Sequence, residues 1–162
     1  SQMAFMIREC SGIVCVCIEP EQAKRMNLPM MVEHNTSVYG TAFTISIDAA
    51  KDVTTGVSAP DRVKAIKAVI NPNGNPEDLA SPGHMFPLVA KKGGVLERDG
   101  HTEASVDLAR LAGFAPAGIL CELCAPDGLM AKLPRVTTFA MEHDLTCLSI
   151  EDLIAYRKEK NI

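Results

Sequence analysis

Tryptophan is absent from this sequence of 162 residues, and aromatic residues make up only 4% of it. No apolar run approaches the roughly 20 residues that cross a bilayer, and no charged-then-apolar leader opens the chain. Lysine and arginine form no cluster, and the formal net charge is −4. Binding of a phosphate backbone needs a concentrated basic face. The sequence therefore predicts a cytoplasmic protein without a membrane or nucleic-acid partner, and any phosphate that it binds is expected to be small.

The paired cysteine spacing of a zinc ribbon is also missing, although the chain has six cysteines. At 47% hydrophobic residues, a chain of this length needs no disulfides for stability. Cys15 and Cys17 would share one face of a strand, whereas Cys121 and Cys124 would point to opposite faces of another. We predict buried thiols in a reducing compartment. The alternative, a zinc or thiol-redox protein built on Cys121 and Cys124, conflicts with that strand geometry.

The chain alternates helical and strand patterns, with no domain break and no internal repeat. We predict helices near residues 1–10, 19–28, 58–70, 102–112, 134–143 and from 150 onward, and strands near 12–19, 40–47, 116–124 and 146–150. A hairpin-type turn is expected at Asp127-Gly128. The proline and glycine content of residues 71–88 predicts an irregular loop. Helices mixed with strands and a hairpin indicate one α+β domain, or mixed-sheet α/β domain, over residues 1–162.

The stretch "RDGHT", residues 98–102, precedes a predicted helix. Thr102 is a suitable N-cap, and the amino end of a helix attracts anions. Arg98 could bind phosphate oxygens with its guanidinium, Gly100 permits close approach of the backbone, and His101 offers an imidazole to a metal or a proton. The alternative is that Thr102 only caps the helix while Arg98 and His101 lie in solvent.

Two further polar residues stand out. Glu122 is a lone carboxylate within the apolar segment "AGILCELC", where an unpaired charge is costly to bury. It is either a functional acid or a strand-edge glutamate paired with a lysine. His84 lies in the predicted loop "SPGHMFPL", and loops of this kind often carry chemistry. Alone, His84 would more often be incidental than catalytic.

Longer segments carry a family resemblance. "SGIVCVCI", "VTTGVSAPDR", "SPGHMFPLVAKKGGVLERDGHTEASVDLARLAGF" and "AGILCELCAPDGLMA" resemble 3,4-dihydroxy-2-butanone 4-phosphate synthase of riboflavin biosynthesis, and the match runs from about residue 7 to 157. The resemblance implies a three-layer domain with a mixed sheet flanked by helices. It also implies a lyase that converts D-ribulose 5-phosphate into 3,4-dihydroxy-2-butanone 4-phosphate and formate. The implied cofactor is Mg²⁺ or Mn²⁺, and the implied assembly is a homodimer with active sites at the interface.

Carried over residue by residue, the resemblance makes His101 a metal ligand and makes His84 and Glu122 catalytic. It assigns substrate contacts to Arg98, Asp99, Gly100, His101, Thr102 and Glu122, and it places Thr55, Asp61 and Arg62 near the site. Such a reaction moves protons beside a carbonyl, loses water and releases formate, so a metal must polarise oxygens while acids and bases move protons.

One family feature has no match. Members of the family carry an N-terminal segment of about fifty residues, with an acidic loop that supplies the metal carboxylate. We therefore expect the chain to lack this segment of the domain and to show little synthase activity alone. The competing hypothesis is a truncated, non-catalytic homologue that dimerises or binds sugar phosphates.

Overall fold

A computed structural model describes residues 1–162. Six helices and four strands follow one another along the chain: α1 (Gln2–Phe5, continued by a π-helical turn over Met6–Cys10), β1 (Cys15–Ile18), α2 (Pro20–Arg25), β2 (Ile47–Ala49), α3 (Ala59–Ile70), β3 (Leu79–Val89), α4 (His101–Leu111), β4 (Ala117–Leu120), α5 (Leu133–Glu142) and α6 (Ile150–Lys160). Short 3₁₀ turns precede β3 at Pro76–Asp78 and α4 at Gly94–Leu96. None of the helices combines the length and the apolar character that spanning a membrane requires.

The four strands form one mixed sheet in the order β2-β3-β1-β4. β1 pairs in parallel with β3 and antiparallel with β4, and β2 pairs antiparallel with β3. Cys15 is opposite Phe86 on one side and Leu120 on the other. The residues that precede β1, precede the second half of β3 and follow β4 therefore meet at one end of the sheet.

Side chains alternate between two cores, because successive residues of a strand point to opposite faces. Val16, Ile18 and Met85 pack against helices α1, α2 and α3 on one face. Cys15, Cys17 and Leu88 pack against Val106 of α4 on the other face. Helices on both faces of a mixed sheet confirm the predicted three-layer α/β class.

Local signals in the sequence account for several element ends. The Ser58 hydroxyl accepts the Asp61 N–H at the start of α3, and the Ser149 hydroxyl accepts the Asp152 N–H at the start of α6. Gly113 follows α4 with φ +78°, a left-handed conformation that favours glycine after a helix. Gly128 has φ +82° in the predicted turn after β4.

Three predicted elements are wrong. Residues 79–89 form an interior strand of eleven residues instead of a loop. Residues 40–47 contribute isolated bridges at Phe43 and Thr44, and the strand begins only at Ile47. Residues 146–149 form no strand and lead directly into α6. The first error comes from the proline and glycine content of the segment. In the other two cases a short apolar pattern does not reveal which partner strand is in reach.

Candidate active site

A cleft of about 570 Å³ lies at the amino end of α4. It is lined by Tyr39, Thr41, Leu88, Arg98, Asp99, Gly100, His101, Thr102, Leu120 and Glu122. The structure thus brings together all six residues predicted to contact the substrate, including Glu122, which is distant from the others in sequence. The seventh predicted site residue, His84, does not line this cleft.

Helix α4 begins with uncapped backbone. Gly100 is the N-cap residue in an extended conformation, and the first intrahelical bond runs from the Ala104 N–H to the Gly100 carbonyl. The prediction that Thr102 caps the helix is wrong, since Thr102 lies inside the first turn and is buried. Because Gly100 has no side chain to accept them, the N–H groups of the first turn remain available to an anion in the cleft.

Arg98 is held by a buried acid. Its Nη1 donates to Glu103 Oε2 at 2.7 Å, and its Nη2 donates to the Tyr39 carbonyl at 3.0 Å. Glu103 is 1% exposed and also accepts the Lys91 N–H through Oε1 at 2.9 Å. The guanidinium is therefore oriented before any ligand arrives, with Glu103 as a fixed counter-charge.

Glu122 follows β4 instead of lying within it. The strand ends at Leu120, and the Glu122 side chain is exposed, so the expectation of a carboxylate inside an apolar strand is wrong. Its Oε2 accepts the Ile13 N–H at 2.9 Å. A Cβ on Gly12 would lie 2.4 Å from the Glu122 carbonyl oxygen, so only glycine permits this approach. The segment before β1 thereby fixes the carboxylate at the edge of the cleft.

His84 lies in β3 instead of in a loop, and its Nδ1 is 2.8 Å from Asp48 Oδ2. Its side chain is 47% exposed. β4, which leads to Glu122, is separated from β3 by β1. Two strand spacings amount to roughly 10 Å. Within one chain, His84 and Glu122 share an end of the sheet without sharing a cleft.

A second cavity of about 540 Å³ adjoins the cleft through Asp99, His101 and Leu120. Ten of its fifteen lining residues are hydrophobic, among them Leu133, Leu148 and Ile150 at the ends of α5 and α6. The polar cleft is therefore open on one side to an apolar depression.

The cysteines show no metal-binding arrangement. Cys15 and Cys17 are buried as predicted, and burial raises the pKa of each thiol to about 12. Burial also raises the pKa of Cys121 to about 11. All six thiols are free, and nowhere do three or more His, Cys, Asp or Glu side chains gather closely enough to hold a metal ion.

Three residues that contact candidate site residues or line the cleft were not found from the sequence. Glu103 looks like an ordinary polar residue of a predicted helix. Tyr39 belongs to a segment without helical or strand periodicity. Asp48 follows an apolar run, where acidic turn residues are common. The Asp48–His84 contact spans 36 residues and the Arg98–Tyr39 contact spans 59. Contacts between residues so far apart in the chain cannot be predicted from local sequence patterns.

The fold is a mixed α/β domain, and its polar cleft at the amino end of a helix is suited to a small anionic ligand. A family model described as 3,4-dihydroxy-2-butanone 4-phosphate synthase matches residues 1–156. A curated protein of that name from Nitratidesulfovibrio vulgaris (strain Hildenborough) is 62% identical over 162 residues, which are 100% of this chain and 76% of the relative. Another, from Shewanella pealeana, is 60% identical over 156 residues, covering 96% of this chain and 74% of the relative.

A solved structure agrees with these relatives. A 3,4-dihydroxy-2-butanone 4-phosphate synthase in complex with two magnesium ions superposes with a TM-score of 0.92 at 40% identity, covering 99% of this chain and 80% of that one. The chain belongs to the 3,4-dihydroxy-2-butanone 4-phosphate synthase family. These enzymes are lyases that make 3,4-dihydroxy-2-butanone 4-phosphate from ribulose 5-phosphate in riboflavin biosynthesis, which confirms the resemblance found in the sequence.

Proposed function

We propose that this domain binds ribulose 5-phosphate in the cleft at the amino end of α4 and, in a chain that includes the N-terminal acidic segment which the resemblance implies, converts it into 3,4-dihydroxy-2-butanone 4-phosphate and formate. Turnover is therefore measured on the chain that includes this segment. The observation that carries the proposal is the convergence of Arg98–Thr102 and Glu122 on one cleft of about 570 Å³. The phosphate meets the Arg98 guanidinium, the Thr102 hydroxyl and the uncapped N–H groups of the first turn, while Asp99 and Gly100 complete the wall.

His101 and Glu122 fit a divalent cation in the same cleft. The His101 side chain is exposed at the first residue of α4, and the Glu122 carboxylate faces the same space. Mg²⁺ prefers oxygen ligands and keeps several waters, so one imidazole leaves positions for substrate oxygens. When bound, the cation polarises the oxygens of the ketose. We assign His101 as its ligand and propose Mg²⁺ over Mn²⁺, in line with the magnesium complex of the solved relative.

Glu122 and His84 are the proposed proton-transferring groups. Glu122 faces the cleft with Oε1 free, because the Ile13 N–H occupies only Oε2. Turnover and ribulose 5-phosphate binding in Glu122→Gln test its role, with Glu159→Gln on the exposed surface of α6 as the matched control. We expect formate release to fall at least 10²-fold. Binding should persist, so that the ³¹P NMR signal of ribulose 5-phosphate still broadens when the variant is added. Unchanged turnover in Glu122→Gln would remove Glu122 from the mechanism.

Two exposed residues at the edge of the cleft favour a homodimer with the active site at its interface. Val38 and Tyr39 are 92% and 82% exposed, and Tyr39 also lines the cleft. An exposed apolar loop at the edge of a site is typical of an interface. A second subunit would also explain how His84 reaches a cleft that its own chain keeps away from it.

Subunit complementation tests this arrangement. His84→Ala and Glu122→Gln are each expected to be nearly inactive. If His84 and Glu122 of one site come from different subunits, each mixed dimer contains one intact site, and a statistical mixture recovers about a quarter of the wild-type activity. If both residues come from one subunit, mixing restores nothing. Sedimentation at the mass of one chain would refute the dimer itself.

A further inference from the structure

Asp48 makes two hydrogen bonds to the same residue. Its Oδ1 accepts the backbone N–H of His84 at 3.0 Å, and its Oδ2 lies 2.8 Å from His84 Nδ1. A carboxylate offers only acceptor positions, so Nδ1 carries the hydrogen of the second bond. The Asp48 side chain is 14% exposed, whereas that of His84 is 47% exposed. The acid is thus enclosed behind an imidazole whose other edge faces outward.

A break in strand register creates this contact. Ile47 pairs with Met85, but the next residue, Asp48, pairs with Ala80, so residues 81–84 bulge out of the ladder. The Gly83 N–H is bound by the Ser46 hydroxyl at 3.1 Å. Bulges re-aim side chains and are common beside active sites. Here the bulge turns both His84 donors toward one carboxylate.

A loop closes over the pair. A Cβ on Gly56 would lie 2.2 Å from Asp48 Oδ2 and 2.6 Å from His84 Nδ1, and Gly56 has φ +83°. Its N–H donates to Asp61 Oδ2 at 3.2 Å, and Asp61 also binds the Thr54 hydroxyl at 2.6 Å. Asp61, which the resemblance places near the site, therefore holds Gly56 against the imidazole and the carboxylate.

We propose that Asp48 is a positioning residue that fixes His84 in the Nδ1–H tautomer and presents its unprotonated Nε2 to the reacting substrate. The inference rests on the proposed catalytic role of His84. No hydrogen bond engages Nε2 in the structure, and a hydrogen bond from the opposite nitrogen to a carboxylate fixes the tautomer and the orientation of an imidazole. With Nδ1 held by Asp48 and covered by Gly56, the proton taken up by the ring goes to Nε2.

The tautomer is measurable without any assay of activity. ¹⁵N-edited NMR of the wild-type protein at about pH 8, where imidazoles are mostly neutral, should show the His84 Nδ1 protonated. In Asp48→Asn, the amide offers its NH₂ to Nδ1, and the ring should switch to the Nε2–H form. Asp52→Asn is the matched control, because the Asp52 side chain makes no hydrogen bond, and its tautomer should match the wild type. A wild-type ring protonated mainly on Nε2 would overturn the proposal.

A double-mutant cycle separates positioning from structural support. Asp48→Asn should lower kcat by on the order of 10²-fold or more while KM changes less than about threefold. In a His84→Gln background the same substitution should cause no further loss, because Asp48 acts only through the imidazole. An equal loss in both backgrounds would overturn the positioning role. Full activity of His84→Gln itself would instead refute the proposed catalytic role of His84, and the NMR result would still report the tautomer.

Discussion

Single carboxylates hold the backbone around the cleft and around His84. Each of four acids accepts a main-chain N–H from a distant or looping segment: Glu122 from Ile13, Glu103 from Lys91, Asp61 from Thr54 and Gly56, and Asp48 from His84. The candidate site residues could be picked from the sequence by type, and three of them, Arg98, His101 and Glu122, line one cleft. The contacts that hold them in place could not, because the contact between Glu122 and Ile13 spans 109 residues. Prediction also fails within a single helical turn: Thr102 is expected at the N-cap of α4, but Gly100 occupies that position.

Asp61 should make stability depend on pH. Hydrogen bonds, led by that from the Thr54 side chain, lower the pKa of Asp61 from its ordinary value of 3.8. A carboxyl group whose native pKa is lowered stabilises the fold fully above its unfolded-state pKa, and this contribution is lost as the pH falls through the native pKa. We expect Asp61→Asn to lower the free energy of unfolding at pH 7 and to differ progressively less from wild type below about pH 4.

Urea unfolding at several pH values measures this difference. Asp52→Asn is the control, because its exposed side chain makes no hydrogen bond, and it should track the wild type at every pH. A gap between Asp61→Asn and wild type that stays constant from pH 7 to about pH 3 would show that the charge of Asp61 contributes nothing.

At the scale of elements, the helices followed their local signals and one strand did not. Capping serines and a terminal glycine located α3, α4 and α6, because these signals act within a few residues. β3 was mistaken for a loop on account of Pro82 and Pro87. Pro87 is tolerated because its carbonyl, and hence its missing donor, faces Thr44, where only isolated bridges form. The neighbours of a strand decide where proline is allowed, and the sequence does not state them.

Ser149 should contribute to stability as the N-cap of α6. Its hydroxyl accepts the Asp152 N–H at 3.0 Å and donates to Asp152 Oδ2 at 2.8 Å. We expect Ser149→Ala to lower the free energy of unfolding by about 1 kcal/mol. Urea denaturation measures this against Thr146→Ala, an exposed residue without a side-chain hydrogen bond, which should change stability by less than about 0.5 kcal/mol. Equal effects of the two substitutions would argue against a capping contribution.

For the whole molecule, a buried ion pair ties the last helix to the layer that forms the cleft. Asp107 of α4 is 1% exposed and accepts from Arg157 of α6 at 2.7 Å and from the Val95 N–H at 2.8 Å. Arg157 also donates to the Gly93 carbonyl. The class and layers of the fold could be predicted from patterns, whereas this junction depends on two charges 50 residues apart.

Removing one partner of this pair should be costly. Asp107→Ala leaves the Arg157 charge nearly buried and unpaired, and we expect the free energy of unfolding to fall by about 3–5 kcal/mol. Glu142→Gln, which breaks the exposed pair between Glu142 and Arg135, is the control and should cost less than about 1 kcal/mol. Chemical denaturation measures both. A loss for Asp107→Ala no greater than for the control would show that α6 docks by apolar contact alone.

The burial of Cys15 and Cys17 and the exposure of Cys147 have a practical consequence for labelling. Iodoacetamide reacts with thiolates, and Cys15 and Cys17, each with a pKa of about 12, are almost entirely protonated at neutral pH. Cys147 is the one exposed cysteine, and it lines the cavity that contains His101. A fluorophore attached under mild conditions should therefore react at Cys147, next to the proposed active-site cleft, and report ligand binding without mutation of the other cysteines.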